Sequence, residues 1–132
     1  IISGKKKRIE LGNLNSLRDW GHARDYVKGM FLMLQQDKPD DFVLATCERY
    51  SVKEFVDKCF KYKGMTLTWF GKALNEVGKD KDGILRVKVN KKYFRPCEVD
   101  ILLGNPEKAI EQLGWQRDYD TLDKLIKDMF EG

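Results

Sequence analysis

Leu11 to Val27 reads LGNLNSLRDWGHARDYV, and this stretch decides the reading of the whole 132-residue chain. Leu11-Gly12-Asn13-Leu14 has the form of a strand end and turn. An apolar position is followed by Gly and Asn, the two residues that most readily take a positive φ. Arg18-Asp19-Trp20 then sets a guanidinium, a carboxylate and a large ring side by side. From Gly21 the apolar spacing turns helical, with Ala23, Tyr26, Val27, Met30, Phe31 and Leu34 on one face. An arginine between a turn and a helix start is well placed to hold an anion, because guanidinium and first-turn N–H groups both favour negative charge. Read locally, Arg18 serves equally as an ordinary surface arginine paired with Asp19, and the local sequence favours that plainer role.

Before this stretch, Lys7 to Leu11 alternates as a short strand. Lys5-Lys6-Lys7-Arg8 supplies most of the formal net charge of +4. So mild a balance argues weakly for polyanion binding, and neither a nucleic-acid nor a membrane partner is expected. No apolar run approaches the length of a membrane span, and there is no signal-peptide core. The opening Ile1-Ile2 in place of Met suggests a piece of a longer protein.

After it, the helix from Gly21 to Gln36 carries an apolar face wide enough to be covered on more than one side. Pro39 stops it. Phe42-Val43-Leu44-Ala45-Thr46 is a continuous apolar run, the mark of a strand buried on both faces in a parallel sheet. No other strand in the chain is apolar enough to partner it, so its sheet is expected to come mostly from residues before Ile1. Ser51-Val52-Lys53-Glu54 is a capping box ahead of a helix that Gly64 should close. Thr66 to Phe70 alternates as a strand, Gly71 to Gly83 reads as a polar loop, and Leu85, Val87 and Val89 mark another strand. Tyr93 to Asp100 is irregular and pinned by Pro96. Asn105-Pro106 should start a short helix ending at Gly114. Asp120 or Thr121 caps a last helix with Leu122, Leu125, Ile126, Met129 and Phe130 on its apolar face. Strands alternating with helices place the chain in the α/β class.

The chemistry-bearing residues are few. His22 is the only histidine, and nothing near it resembles a nucleophile elbow, so it is read as a first-turn residue packing near Trp20. Cys47, Cys59 and Cys97 form no CxxC pair; with one histidine they make no zinc site, and they fit reduced thiols of a cytoplasmic protein. The GxGxxG and P-loop patterns are absent. Two arginines remain. Arg18 precedes a helix, and Arg95 is held by Pro96 with Tyr93, Phe94 and Glu98 about it. Two guanidiniums from distant segments can converge on a diphosphate, and Glu98 can accept from sugar hydroxyls. Surface ion pairs would account for each of them as well.

LGNL, RDWGHARDYV, LMLQQDKPDDFVLAT, SVKEFV, NEVG, YFRPCEVD and GNPEKA…LGW occur in one order. Together they resemble the C-terminal portion of the GDP-mannose 4,6-dehydratases, a family of extended short-chain dehydrogenase/reductases. The resemblance spans nearly the whole chain. It implies an α/β fold: a C-terminal substrate-binding lobe that contributes an edge strand and helices to a Rossmann-type sheet. It also implies an NADP-dependent lyase that converts GDP-mannose to GDP-4-dehydro-6-deoxymannose, on the way to GDP-fucose or GDP-rhamnose, as a homodimer or homotetramer. On this resemblance Arg18, Arg95 and Glu98 line the GDP-mannose site, and the backbone of Gly12 and Asn13 lies near the guanine. Residues 1–132 would be the substrate-binding part. The NADP-binding part, with its glycine-rich turn, catalytic Thr or Ser, Glu and Tyr-x-x-x-Lys pair, is not in this chain, so no dehydratase activity is expected of these residues alone. Cys47 replaces the usual glycine of the ATGE turn, which a side chain tolerates where φ stays negative. Lys79 and Cys97 replace Arg and Thr. Another nucleotide-sugar epimerase or dehydratase of the same fold, and a non-catalytic sugar-nucleotide-binding protein, are the alternatives.

Overall fold

A computed structural model describes residues 4–95 and 104–131. The chain divides into two compact units, one of residues 1–17 with 51–100 and one of residues 18–50 with 101–132.

In the first unit a four-stranded mixed sheet has the order β1-β6-β5-β4. The strands are β1 Ile9–Leu11, β4 Thr68–Phe70, β5 Val77–Lys79 and β6 Leu85–Val89. β1 lies parallel to β6, with Ile9, Glu10 and Leu11 opposite Val87, Lys88 and Val89. The other pairs are antiparallel. The alternation of Leu85–Val89 sends Val87 and Val89 into the core with Leu14, Phe60 and Leu67. Helix α2, Val52–Tyr62, brings Phe60 to this core. Its capping box forms in full: the Ser51 hydroxyl accepts from Glu54 N at 3.0 Å, and Ser51 N donates to the Glu54 carboxylate at 2.9 Å. Gly64 follows its last turn with φ 82°, as the sequence predicts. The polar loop expected over 71–83 is more ordered than that. It holds a 3₁₀ turn at Ala73–Asn75 and the strand β5. Gly78 interrupts the alternation of β5 because it lies opposite Trp69, whose ring occupies the space a Cβ would need.

In the second unit, α1 runs Ala23–Leu34, α3 Glu107–Leu113 and α4 Leu122–Glu131. Ala109, Leu113 and Trp115 form a core, flanked by Tyr26, Leu32, Met33, Phe42 and Leu44. α3 begins one residue later than predicted, with Pro106 at the cap position, yet Asn105 Oδ1 still accepts from Glu107 N at 3.0 Å. Gly114 ends it at φ 66°. Thr121 Oγ1 accepts from Lys124 N at the start of α4. Two short strands, β2 Leu17–Arg18 and β3 Tyr50–Ser51, lie where the chain passes from one unit to the other.

Two expectations change here, and one stays outside what these residues supply. Phe42–Thr46 carries no regular secondary structure and forms no ladder among the described residues, where none was expected to partner it. α1 is covered on one side only: Val27, Met30, Phe31 and Leu34 are 56–82% exposed. Met129 and Phe130 on α4 are also exposed, while Leu122, Leu125 and Ile126 are buried.

Candidate functional site

The end of β1 meets the segment after β6. Asn90, the first residue past β6, donates its backbone N–H to Leu11 O at 2.8 Å, and its carboxamide Nδ2 donates to the Glu10 carboxylate at 3.0 Å. Its Oδ1 accepts from Lys92 N and its carbonyl from Tyr93 N, turning the chain back toward β1. Gly12 then passes against the Tyr93 carbonyl so closely that a Cβ would overlap it. One residue on, the Asn13 carboxamide bonds Arg95 twice. Oδ1 accepts from Arg95 N at 2.8 Å, and Nδ2 donates to Arg95 O at 2.7 Å. Gly12 and Asn13 therefore occupy one corner of the first unit with Arg95, which lies 82 positions beyond Asn13 in sequence. Arg95 itself is exposed. Glu98 lies outside the described residues, as does the rest of the irregular segment expected there, with Cys97.

The second unit holds Arg18, half-buried on β2. The block after it is mostly internal wiring. The Asp19 carboxylate accepts from Thr46 N at 2.9 Å, and Trp20 Nε1 donates to Tyr50 O at 2.9 Å. Gly21 leaves the room that the Tyr26 hydroxyl occupies. Burial, with Asp19 beside it, pushes the Tyr26 hydroxyl above its usual range. His22 is not the first-turn residue expected: it is the N-cap of α1, its Nδ1 accepting from Arg24 N at 3.0 Å. Its ring stacks on Tyr119 at 4.0 Å, and Nε2 faces Asp128 Oδ2 at 2.6 Å. One tautomer satisfies both nitrogens, the one with its proton on Nε2. The fully buried Asp25 accepts from Asp118 N and Tyr119 N at 2.8 and 3.1 Å, while its own carbonyl accepts from Trp115 Nε1.

Sequence reasoning missed the side-chain work of Asn13, Asn90, Asp25 and Asp128. An Asx turn at Asn90-Lys91-Lys92 was the one local signal available. Cys47 overturns the expectation of a negative φ, since it sits at φ 62° in the glycine region and is exposed. Cys59 is half-buried, and burial pushes its thiol up to about 11, which leaves it a packing residue.

The first unit contains 16 Lys and Arg against 8 Asp and Glu, a net +8. The second contains 9 against 13, a net −4. The mild overall charge thus conceals a strongly cationic unit around Asn13 and Arg95, a field that attracts anions.

Residues 1–129 match the family model described as GDP-mannose 4,6 dehydratase. GDP-mannose 4,6 dehydratase 2 of Caenorhabditis elegans is 53% identical over 125 residues, which is 95% of this chain and 32% of that protein. The human GDP-mannose 4,6 dehydratase is 49% identical over 130 residues, 98% of this chain and 35% of that protein. The chain spans about a third of the length of these relatives. Among solved structures, RMD from Pseudomonas aeruginosa complexed with NADPH superposes with a TM-score of 0.67 at 13% identity, over 96% of this chain and 37% of that one. UDP-glucose 4-epimerase from Bifidobacterium longum in complex with NAD+ and UDP gives 0.65 at 18%, over 95% and 34%. At such identities these two show the fold alone, a mixed α/β arrangement. On the family match and the relatives at about half identity, this chain belongs to the GDP-mannose 4,6-dehydratase family.

Proposed function

We propose that this chain is the GDP-sugar-binding part of an NADP-dependent GDP-mannose 4,6-dehydratase. The complete protein would eliminate water from GDP-mannose to give GDP-4-dehydro-6-deoxymannose, working in the cytoplasm as a homodimer or homotetramer. Arg18 and Arg95 grip the diphosphate, Glu98 accepts from sugar hydroxyls, and the Gly12–Asn13 backbone lies beside the guanine.

The observation that carries this reading is the corner where Asn13 holds Arg95, inside a unit of net +8. A guanidinium carried on a backbone held in this way offers paired N–H donors that match phosphate oxygens. The surrounding cationic field raises the local concentration of a dianionic nucleotide.

NADP is a different matter. This chain has no GxGxxG turn and no Tyr-x-x-x-Lys pair, so its own residues do not fit the cofactor's phosphates or its reactive ring. NADP, when bound, supplies the oxidation and the returning hydride, and its holders belong to the remaining two-thirds of the relatives' length. The role of the residues here is to bind and orient the sugar nucleotide.

Calorimetric titration of the complete protein with GDP-mannose tests the reading. Arg18→Ala and Arg95→Ala should each weaken binding by roughly 10- to 100-fold, since each removes charge-assisted bonds of about 1.5–3 kcal/mol. Unchanged affinity in both variants would remove the site assignment. The dehydratase reading is preferred over an epimerase because the relatives near half identity carry dehydratase names, whereas the epimerase likenesses lie at 23% identity or below.

A further inference from the structure

We infer that Asn13 is a positioning residue: its carboxamide clips the Arg95 peptide to the end of β1, and it acts on a bound diphosphate only through Arg95. The inference rests on the diphosphate role proposed for Arg95.

The geometry is specific. Arg95 lies outside every helix and strand and is exposed. Pro96 after it confines its backbone to the extended region, and within that region the bonds from Asn13 fix it further. The two bonds reach the N–H and the C=O of the same residue, at 2.8 and 2.7 Å. Those groups flank one Cα, so the clip restrains both φ and ψ of Arg95 and with them the direction of its Cα–Cβ bond. That direction sets where the guanidinium can go. The carboxamide is the side chain suited to the task, with one acceptor and one donor in a single plane. A carboxylate lacks the donor, a hydroxyl lacks the reach, and alanine lacks both. The clip is itself fixed from behind. Gly12 has no room for a Cβ against the Tyr93 carbonyl, and Asn90 N closes onto Leu11 O at 2.8 Å. A change at residue 13 therefore reaches Arg95 before it reaches anything else.

A double-mutant cycle read with GDP as the probe decides the matter, using the complete protein and calorimetric titration. Arg95→Ala should weaken GDP binding by roughly tenfold or more. Asn13→Ala should weaken it by about fivefold through lost preorganisation. The double variant should bind no more weakly than Arg95→Ala, within about twofold, because Asn13 has nothing left to position. With GDP-mannose as substrate, Asn13→Ala should raise KM at unchanged kcat. If Asn13→Ala binds GDP like the parent while Arg95→Ala does not, or if the two losses multiply, the inference is overturned and the Arg95 reading survives. If Arg95→Ala itself binds normally, the diphosphate reading fails and takes the inference with it. Asn13→Ser, small and polar but too short for both bonds, replaces the alanine variant in the same cycle if that variant does not fold.

Discussion

His22 and Asp128, 106 positions apart, meet at 2.6 Å and join the N-cap of α1 to the last turn of α4. Asp128 also accepts from the Tyr119 hydroxyl at 3.3 Å, under the His22 ring. The hydrogen bond from His22 holds the Asp128 carboxyl below its usual range.

That depression has a sign. A carboxyl whose folded pKa lies below its unfolded value adds stability at pH above the unfolded value, and the gain disappears as pH falls through the folded one. Asp128→Asn should therefore lower the melting temperature at pH 7 and shrink the difference from the parent as pH drops below 4. Melting curves between pH 3 and 7 check this, and a pH-independent difference would count against it. His22→Ala removes the N-cap as well and should cost about 0.5–2 kcal/mol from that loss alone.

Asp25 is the buried anchor of the same unit. Its carboxylate satisfies two backbone N–H groups of the 118–119 turn. Asp25→Ala leaves both without an acceptor and should destabilise by about 3 kcal/mol, at 1.5–3 kcal/mol for each bond to a charged group. Urea denaturation reads it directly.

Gly12→Ala should be more harmful than an alanine in a turn usually is. The new Cβ meets a backbone carbonyl, that of Tyr93, which cannot rotate aside. A cost of about 1–3 kcal/mol is expected from the forced shift. Because the same shift moves Arg95 off Asn13, nucleotide affinity should fall with stability, measured by titration and melting on the same sample.

Cys47 holds φ 62° with a side chain present. Cys47→Gly should raise stability by about 1 kcal/mol, since glycine adopts that region without the Cβ clash. Cys47→Val, β-branched, should lower it. Equal stability of the three proteins would show that the turn relaxes to accept a side chain.

The two described thiols should also react at different rates. Cys47 is exposed, whereas Cys59 is half-buried with its thiol pushed up to about 11. At pH 8 an alkylating reagent should modify the Cys47 peptide well before the Cys59 peptide, as judged by mass spectrometry.

Some of this fold could be read directly. The Ser51–Glu54 box, the glycines at 64 and 114 and the alternation of Leu85–Val89 concern contacts within about one turn or one strand, and each formed as expected. Other signals misled for an identifiable reason. The apolar stripe of α1 announces burial without naming what covers it, and Val27, Met30, Phe31 and Leu34 stand open. β5 was hidden because Gly78 is explained only by Trp69 on the neighbouring strand.

The ordered motifs from LGNL to GNPEKA carried the family, because residue order along the chain is all that such a likeness needs. Folding alone revealed that Asn13 is the partner of Arg95 and that His22 belongs to Asp128. Those pairs are separated by 82 and 106 positions. A hydrogen bond forms only within about 3 Å, and no local pattern encodes which distant backbone will arrive at that distance.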